Sequence, residues 1–292
     1  MIINRRTLKC QGFTLIELIV VMVIMSVLAV MTTSMITLPV QSYVDQEGRT
    51  RLVDDAESAL RRMQRDLRQA LPNSIRITGG GQVLEMLHVL DAGRYRANKD
   101  GTLAANAGLC ASDPAGDVLD FTAADSCFQV LGSFSNFNPQ ATAGEFLVIY
   151  NLNDAAYLDI NSTAMTDPNY QRINRIAVTN SGNAGLVKFA AIKFPLSSPQ
   201  QRFFIVDTAI TYRCNISTGQ LLRYSGYTIS AAQPNPPAVT GQLQAEHVSA
   251  CNFTYASGAA TRAGLVTAAV TLTNADGEAA RLMQQMHVDN AP

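Results

Sequence analysis

The chain has 292 residues, of which 47% are hydrophobic and only 15% charged, and its net charge is −1 at neutral pH. That balance excludes a disordered, highly charged tail and gives no basis for holding nucleic acid. The length allows one large or two small globular domains, less whatever a membrane segment removes.

Residues 1–12 carry Arg5, Arg6 and Lys9, no acid, and end in Cys10-Gln11-Gly12. Phe13-Thr14-Leu15-Ile16-Glu17-Leu18 follows at once and opens an apolar stretch that continues to Leu38 with Glu17 as its one charge. An apolar helix of this length spans a bilayer. A carboxylate near its start costs about 2.5–3.5 kcal/mol on insertion scales and needs a partner to be retained. Basic residues precede the helix, whereas Val40-Gln41-Ser42-Tyr43-Val44-Asp45 after it is neutral or acidic, which places the N-terminus in the cytoplasm and the bulk of the chain outside. A secretory signal would put its small-residue cleavage site after the apolar core; here the glycine stands before it and no A-x-A pattern follows.

The run Gly12-Phe13-Thr14-Leu15-Ile16-Glu17 resembles the prepilin recognition site of type IV pilins and type II secretion pseudopilins. The resemblance covers about fifteen residues and fixes a glycine, an aromatic, a glutamate and an apolar helix in order. It implies that prepilin peptidase cuts after Gly12, that Phe13 becomes the N-methylated first residue, and that Glu17 meets the terminal amine of a neighbouring subunit and sets its register. An ammonium and a carboxylate can neutralise each other in a low-dielectric bundle where either alone is heavily penalised. Removing the leader would take the net charge to −4.

Beyond Pro39 the sequence turns polar but keeps a helical rhythm. Leu52, Ala56, Leu60, Met63, Leu67 and Leu71 recur at spacings of three and four and line one face, with Arg61, Arg62, Arg65, Asp66 and Arg68 among the residues on solvated faces. A helix from Phe13 to Leu71 would be roughly 90 Å long, with a bend at Pro39 and a weak point at Gly48. Pro72-Asn73 stops it, and Gly79-Gly80-Gly81 marks a loop.

The period then changes to two. Val83–Leu90, Glu145–Tyr150, Ile173–Val178 and Arg202–Val206 are rich in branched and aromatic residues and read as strands. Asp207–Cys214, Leu221–Ile229, Ala245–Tyr255, Gly264–Thr273 and Glu278–Val288 predict one antiparallel meander, with Asp276-Gly277 as a hairpin turn. Asp91–Asp117 and Ala231–Gly241 read as surface loops. The fold class expected is α+β: a long N-terminal helix packed on a mainly antiparallel β-sheet head. The segments are 1–12 (cleaved leader), 13–38 (membrane or filament-core helix), 39–71 (amphipathic stem) and 72–292 (periplasmic head).

Of five cysteines, Cys10 lies in the leader, leaving Cys110, Cys127, Cys214 and Cys251 in the exported part, an even number suited to disulfides. Three pairings are open. Cys110 with Cys127 and Cys214 with Cys251 are favoured because each closes the shorter loop, with about 2–4 kcal/mol of stabilisation apiece. No C-x-x-C spacing is present, which argues against metal.

The signatures G-x-S-x-G, H-E-x-x-H, G-x-x-x-x-G-K-[ST] and G-x-G-x-x-G are missing, and His88, His247 and His287 fall in separate strand-like segments. No catalytic or cofactor-binding residue is therefore expected; a signal-anchored periplasmic enzyme is the rival from another class. The run Asn153-Asp154, Asp159-Ile160-Asn161 and Asp167-Pro168-Asn169 could offer oxygen ligands to calcium but lacks the full spacing, so a polar loop is favoured. Among pilin-like families the chain most resembles the MshO-type minor pilins of mannose-sensitive haemagglutinin (MSHA) pili. The residues that carry this are the leader and helix, the stem Arg61–Pro72, Val206-Asp207-Thr208, Tyr212-Arg213-Cys214, Gly219 and the closing His287–Pro292. The resemblance implies an inner-membrane, single-pass subunit that moves to the pilus or cell surface. Its partners would be prepilin peptidase, the major pilin, other minor pilins and the inner-membrane assembly platform. J-type pseudopilins and PilW-like minor pilins share the same outline.

Overall fold

The computed structural model describes residues 13–97, 110, 118–142, 144–157, 175–258 and 262–288. They form one long helix and twelve strands, all of whose pairings are antiparallel, in two compact units, 1–51 and 52–292. The architecture is α+β.

Helix α1 spans Leu15–Arg68 and runs through Pro39 and Gly48. In the first unit its apolar residues are exposed on every side, from Leu15 and Ile16 to Val30 and Met31. A helix that is apolar all round is made for an apolar surrounding, not for one packed face in water. The stretch Leu15–Thr33 is long and apolar enough to cross a membrane.

In the second unit the pattern becomes one-sided. Leu52, Ala56, Ala59, Leu60, Met63 and Leu67 are buried in a core with Leu84 and Met86, Ile210 and Tyr212, and Val266, Ala268 and Val270. The helix ends at Arg68, short of Leu71, because the chain there is drawn onto a strand. Val89 N–H donates to Gln69 O and Leu71 N–H to Leu87 O, both at 2.8 Å, and Ala70 bridges His88.

The strands are β1 (Arg76–Thr78), β2 (Val83–Tyr95), β3 (Asp125–Leu131), β4 (Phe146–Ile149), β5 (Ile176–Thr179), β6 (Leu186–Ile192), β7 (Arg202–Asn215), β8 (Gln220–Tyr227), β9 (Gln242–Ala245), β10 (Val248–Ala256), β11 (Gly264–Thr273) and β12 (Ala279–Val288). The first nine make one sheet in the order β1-β2-β3-β6-β5-β4-β7-β8-β9, with β2 also paired to β7. That extra pairing closes β2-β3-β6-β5-β4-β7 into a ring, which removes the free edges those strands would otherwise carry. Inside it pack Tyr95, Phe128, Leu147, Ile176, Phe189, Phe203 and Ile205.

β2 and β7 are long enough to serve two structures. Val83–Leu87 pairs with Ala209–Arg213 under the stem helix, and Asp91–Arg94 pairs with Arg202–Ile205 in the ring. Between them the register shifts twice. His88 stands opposite both Asp207 and Thr208, and Leu90 is the extra residue on β2. Such two-against-one bulges bend and twist a ribbon, which lets one strand pair leave a flat sheet and enter a closed one.

Several expectations are corrected. Asp91–Tyr95 is the second half of β2, not the start of a loop. Its Ala-Gly composition hides a strand whose Gly93 lies directly opposite Phe203; a Cβ there would sit 2.7 Å from the ring. Asp91 Oδ2 accepts backbone N–H groups from Ser135, Asn136 and Phe137. Burial opposes its charge, but these bonds and that from Ala92 outweigh it and hold the carboxyl below its ordinary value. Of the expected loop, residues 98–109 and 111–117 lie outside those described.

Arg202–Val206 and Asp207–Cys214 are one strand, β7, while β1, β3 and β6 were not read from the sequence at all. The expected meander is two sheets. Ala245 pairs with Leu221 in the large sheet, and then His247, at φ 61°, turns the chain so that β10-β11-β12 forms its own three-stranded sheet. Gly277 (φ 86°) sits in the turn between β11 and β12.

Two disulfides tie the head. Cys110 joins Cys127 on β3, and Cys214 on β7 joins Cys251 on β10, linking the two sheets.

Candidate functional site: the N-terminal helix and its anchoring in the head

Phe13 is 79% exposed and precedes the helix. Thr14 is its N-cap: its carbonyl accepts from Glu17 N–H at 3.1 Å and Leu18 N–H at 3.2 Å. Glu17 reaches back, so that Oε2 accepts from both Thr14 N–H and Thr14 Oγ1 at 3.4 Å. Thr-x-x-Glu before an apolar run is a capping-box signature, and the carboxylate also lies at the end of the helix dipole that favours anions. The role of Thr14 was missed in the sequence, although that spacing was there to be read. At 3.4 Å both bonds are long, so this local hold on Glu17 is weak and exchangeable.

Ser26, Thr32 and Thr33, further along the apolar stretch, are satisfied within the helix. Ser26 Oγ donates to Val23 O and Thr33 Oγ1 to Ala29 O, each at 2.8 Å, and Thr32 Oγ1 bonds Leu28 O. No water is needed to solvate them, as a hydrocarbon or protein-filled surrounding requires. Gly12, the expected cleavage point, lies outside the described residues, as do the leader and residues 289–292.

In the head, the last turn of α1 is anchored by charge. Asp66 accepts from Tyr212 Oη at 2.7 Å and from Arg223 Nε at 2.6 Å, with Arg223 Nη1 donating to Ser225 Oγ at 2.9 Å. Asp66 does not stand on a solvated face of the helix. Its side chain is only 13% exposed, because β7 and β8 cover it. Burial, reinforced by the Asp66 charge, pushes the Tyr212 hydroxyl far up, so it stays protonated and donates.

A second cluster fixes β1 to β2. Buried Glu85 is paired with Arg76 and accepts from Tyr227 Oη at 2.7 Å. Arg76 also donates to Ala231 O at 2.6 Å and Ser230 O at 2.8 Å and stacks 3.6 Å over the Tyr157 ring. Burial raises the Glu85 carboxyl above its ordinary value despite Arg76 and Tyr227.

The three histidines are separated by element. His88 is on β2, bonded to Asp207; His247 is at the break between β9 and β10; His287 is exposed on β12. Of the expected oxygen-rich run, Asn153 and Asp154 are described and Asp159, Asn161, Asp167 and Asn169 are not. Among the described residues no group of three or more His, Cys, Asp or Glu is placed to hold a metal ion.

The fold and helix together define a chain with a membrane-compatible N-terminal helix and a disulfide-tied β head. Residues 7–33 match the family model of the prokaryotic N-terminal methylation motif, which supports a type IV prepilin- or pseudopilin-like protein. Comparison with curated proteins and with solved structures gives no match.

Proposed function

We propose that the chain is a minor pilin, a non-enzymatic subunit that assembles into or primes a type IV pilus of the MSHA type. The observation that carries the reading is Glu17: one carboxylate in an apolar helix, held by its own N-cap only through 3.4 Å bonds, within the methylation motif at residues 7–33. Prepilin peptidase would cut after Gly12, Phe13 would be methylated, and Glu17 would exchange its weak local bonds for the Phe13 ammonium of the neighbouring subunit. That ion pair would set the register. The helix would then move from lipid to a bundle of other helices, two apolar surroundings between which transfer costs little.

In this reading residues 13–38 form the filament core, 39–71 the stem and 72–292 a periplasmic head that gives the subunit its identity. The chain waits in the inner membrane with its N-terminus cytoplasmic, and its partners are the assembly platform, the major pilin and other minor pilins. No cofactor and no catalytic residue takes part. A J-type pseudopilin of a type II secretion system would use the same helix in the same way. Mass spectrometry of the assembled protein tests the reading: methyl-Phe13 is expected at the N-terminus, and a chain retaining residues 1–12 in working fibres overturns it.

A further inference from the structure

Among the described residues four strands end the two sheets: β1 and β9 in the larger, β10 and β12 in the smaller. Exposed strand edges template further pairing, and natural proteins blunt them by shortness, bulges, proline or charge. β1 has 3 residues and β9 has 4, and β10 is broken by a register shift between Val248 and Ala250. Of these protections β12 carries only one charge, Arg281. Its 10 residues pair with β11 without a shift, contain neither proline nor glycine, and among the described residues have a neighbour on one side only. Along its outward face Ala279, Arg281, Met283, Gln285 and His287 are all exposed, Met283 at 67%. The adjoining row on β11, from Leu265 to Thr273, is half-buried and uncharged.

We propose that β12 is an interface between two copies of this chain, which join by antiparallel β12–β12 pairing and continue the three-stranded sheet across a twofold axis. The occupant is argued from self-complementarity. Ala280, Met286 and Val288 face the core, and directly opposite residues share a face, so only registers that match inner to inner are open. One of these places Met283 on its own copy, Arg281 opposite Gln285 and Ala279 opposite His287, with overlap from Ala279 to His287. No like charges meet. The next, centred on Gln284, sets two basic side chains, Arg281 and His287, directly opposite each other.

The pairing rests on the head and not on Glu17, so its failure leaves the assembly reading intact, and the converse holds. The test uses the full chain in detergent micelles with Cys10→Ser, so that an introduced thiol is the free one. Under mild oxidation Met283→Cys is expected to form covalent dimers at least about tenfold faster than Thr254→Cys, an exposed site on β10, because paired strands hold opposed Cα atoms within disulfide reach. Arg281→Cys mixed with Gln285→Cys is expected to give the mixed dimer. Equal rates at 283 and 254 overturn the proposal. As a check independent of thiols, Met283→Lys and Met283→Glu chains are each expected to lose the association and to regain it when mixed; unchanged association in Met283→Lys overturns it as well.

Discussion

His88 Nδ1 lies 2.7 Å from Asp207 Oδ1, across the bulge where β2 and β7 pass from the sheet under the stem helix into the closed ring. Asp207 also accepts from Thr208 N–H at 2.7 Å, so one carboxylate ties the extra residues of β7 to the single opposing residue of β2. Replacing His88 or Asp207 by Ala is expected to lower the stability of the head by about 1–2 kcal/mol, with the double variant costing less than the sum. Urea unfolding of the four proteins in detergent decides it; strict additivity would show that the two side chains are not coupled.

Gly93→Ala is expected to cost about 1–3 kcal/mol. The methyl would meet Phe203, which is fully buried among the ring aromatics and 5.1 Å from the Phe128 centroid. A companion Phe203→Leu change should recover part of the loss. If Gly93→Ala unfolds at the same urea concentration as the parent, the aromatic contact is softer than the geometry shows.

Glu85 gives a pH signature of known sign. Its carboxyl is raised above 4.5 in the fold by burial, so over the interval just above 4.5 the folded state keeps a proton that the unfolded state has lost. Stability must then fall as pH rises through that interval. Glu85→Gln is expected to flatten this part of the stability profile. A variant profile with the same slope as the parent would assign the slope to other groups.

The Cys214–Cys251 bridge closes a separation of 37 residues and joins the two sheets. Chain-entropy arguments give about 4 kcal/mol for a loop of that size. Cys214→Ala with Cys251→Ala is expected to lose a comparable amount, seen as a lower midpoint in thermal unfolding of the oxidised protein. An unchanged midpoint would mean that packing alone holds the sheets.

Glu17→Ala is expected to abolish incorporation into filaments while the head remains folded, and Thr14→Ala to leave incorporation in place. Thr14 serves only the local cap, whereas Glu17 is proposed to serve the neighbour. Normal assembly from Glu17→Ala, measured by shearing and quantifying surface filaments, would remove the register role.

The parts of this fold governed by periodicity were legible in the sequence. The buried stripe Leu52–Leu67 obeys the helical spacing, and β11 begins and ends where alternation does. What was lost lies where one residue overrides a pattern. Gly93 interrupts the apolar alternation of β2 yet is required by the Phe203 ring, and His247 breaks what otherwise reads as a single strand into β9 and β10. Asp66 looked like any acid on a polar helix face, since its partners Tyr212 and Arg223 are far along the chain. The ring itself follows from β2 pairing with strands on both sides, a long-range choice that no local spacing encodes. At the helix start the reverse held: Glu17 was singled out by charge, and Thr14, its spacing partner, was passed over.

β7 contributes to all three large cores, with Ile210 and Tyr212 under the stem helix, Phe203 and Ile205 inside the ring, and Phe204 and Val206 on the far face beside Tyr157. No one of these cores can be dismantled while the strand stays in place for the others. Amide hydrogens along Phe203–Tyr212 should therefore exchange only through whole-head opening, at a common rate. A pull on the stem helix would be resisted by the entire structure at once, with no outer layer peeling off first.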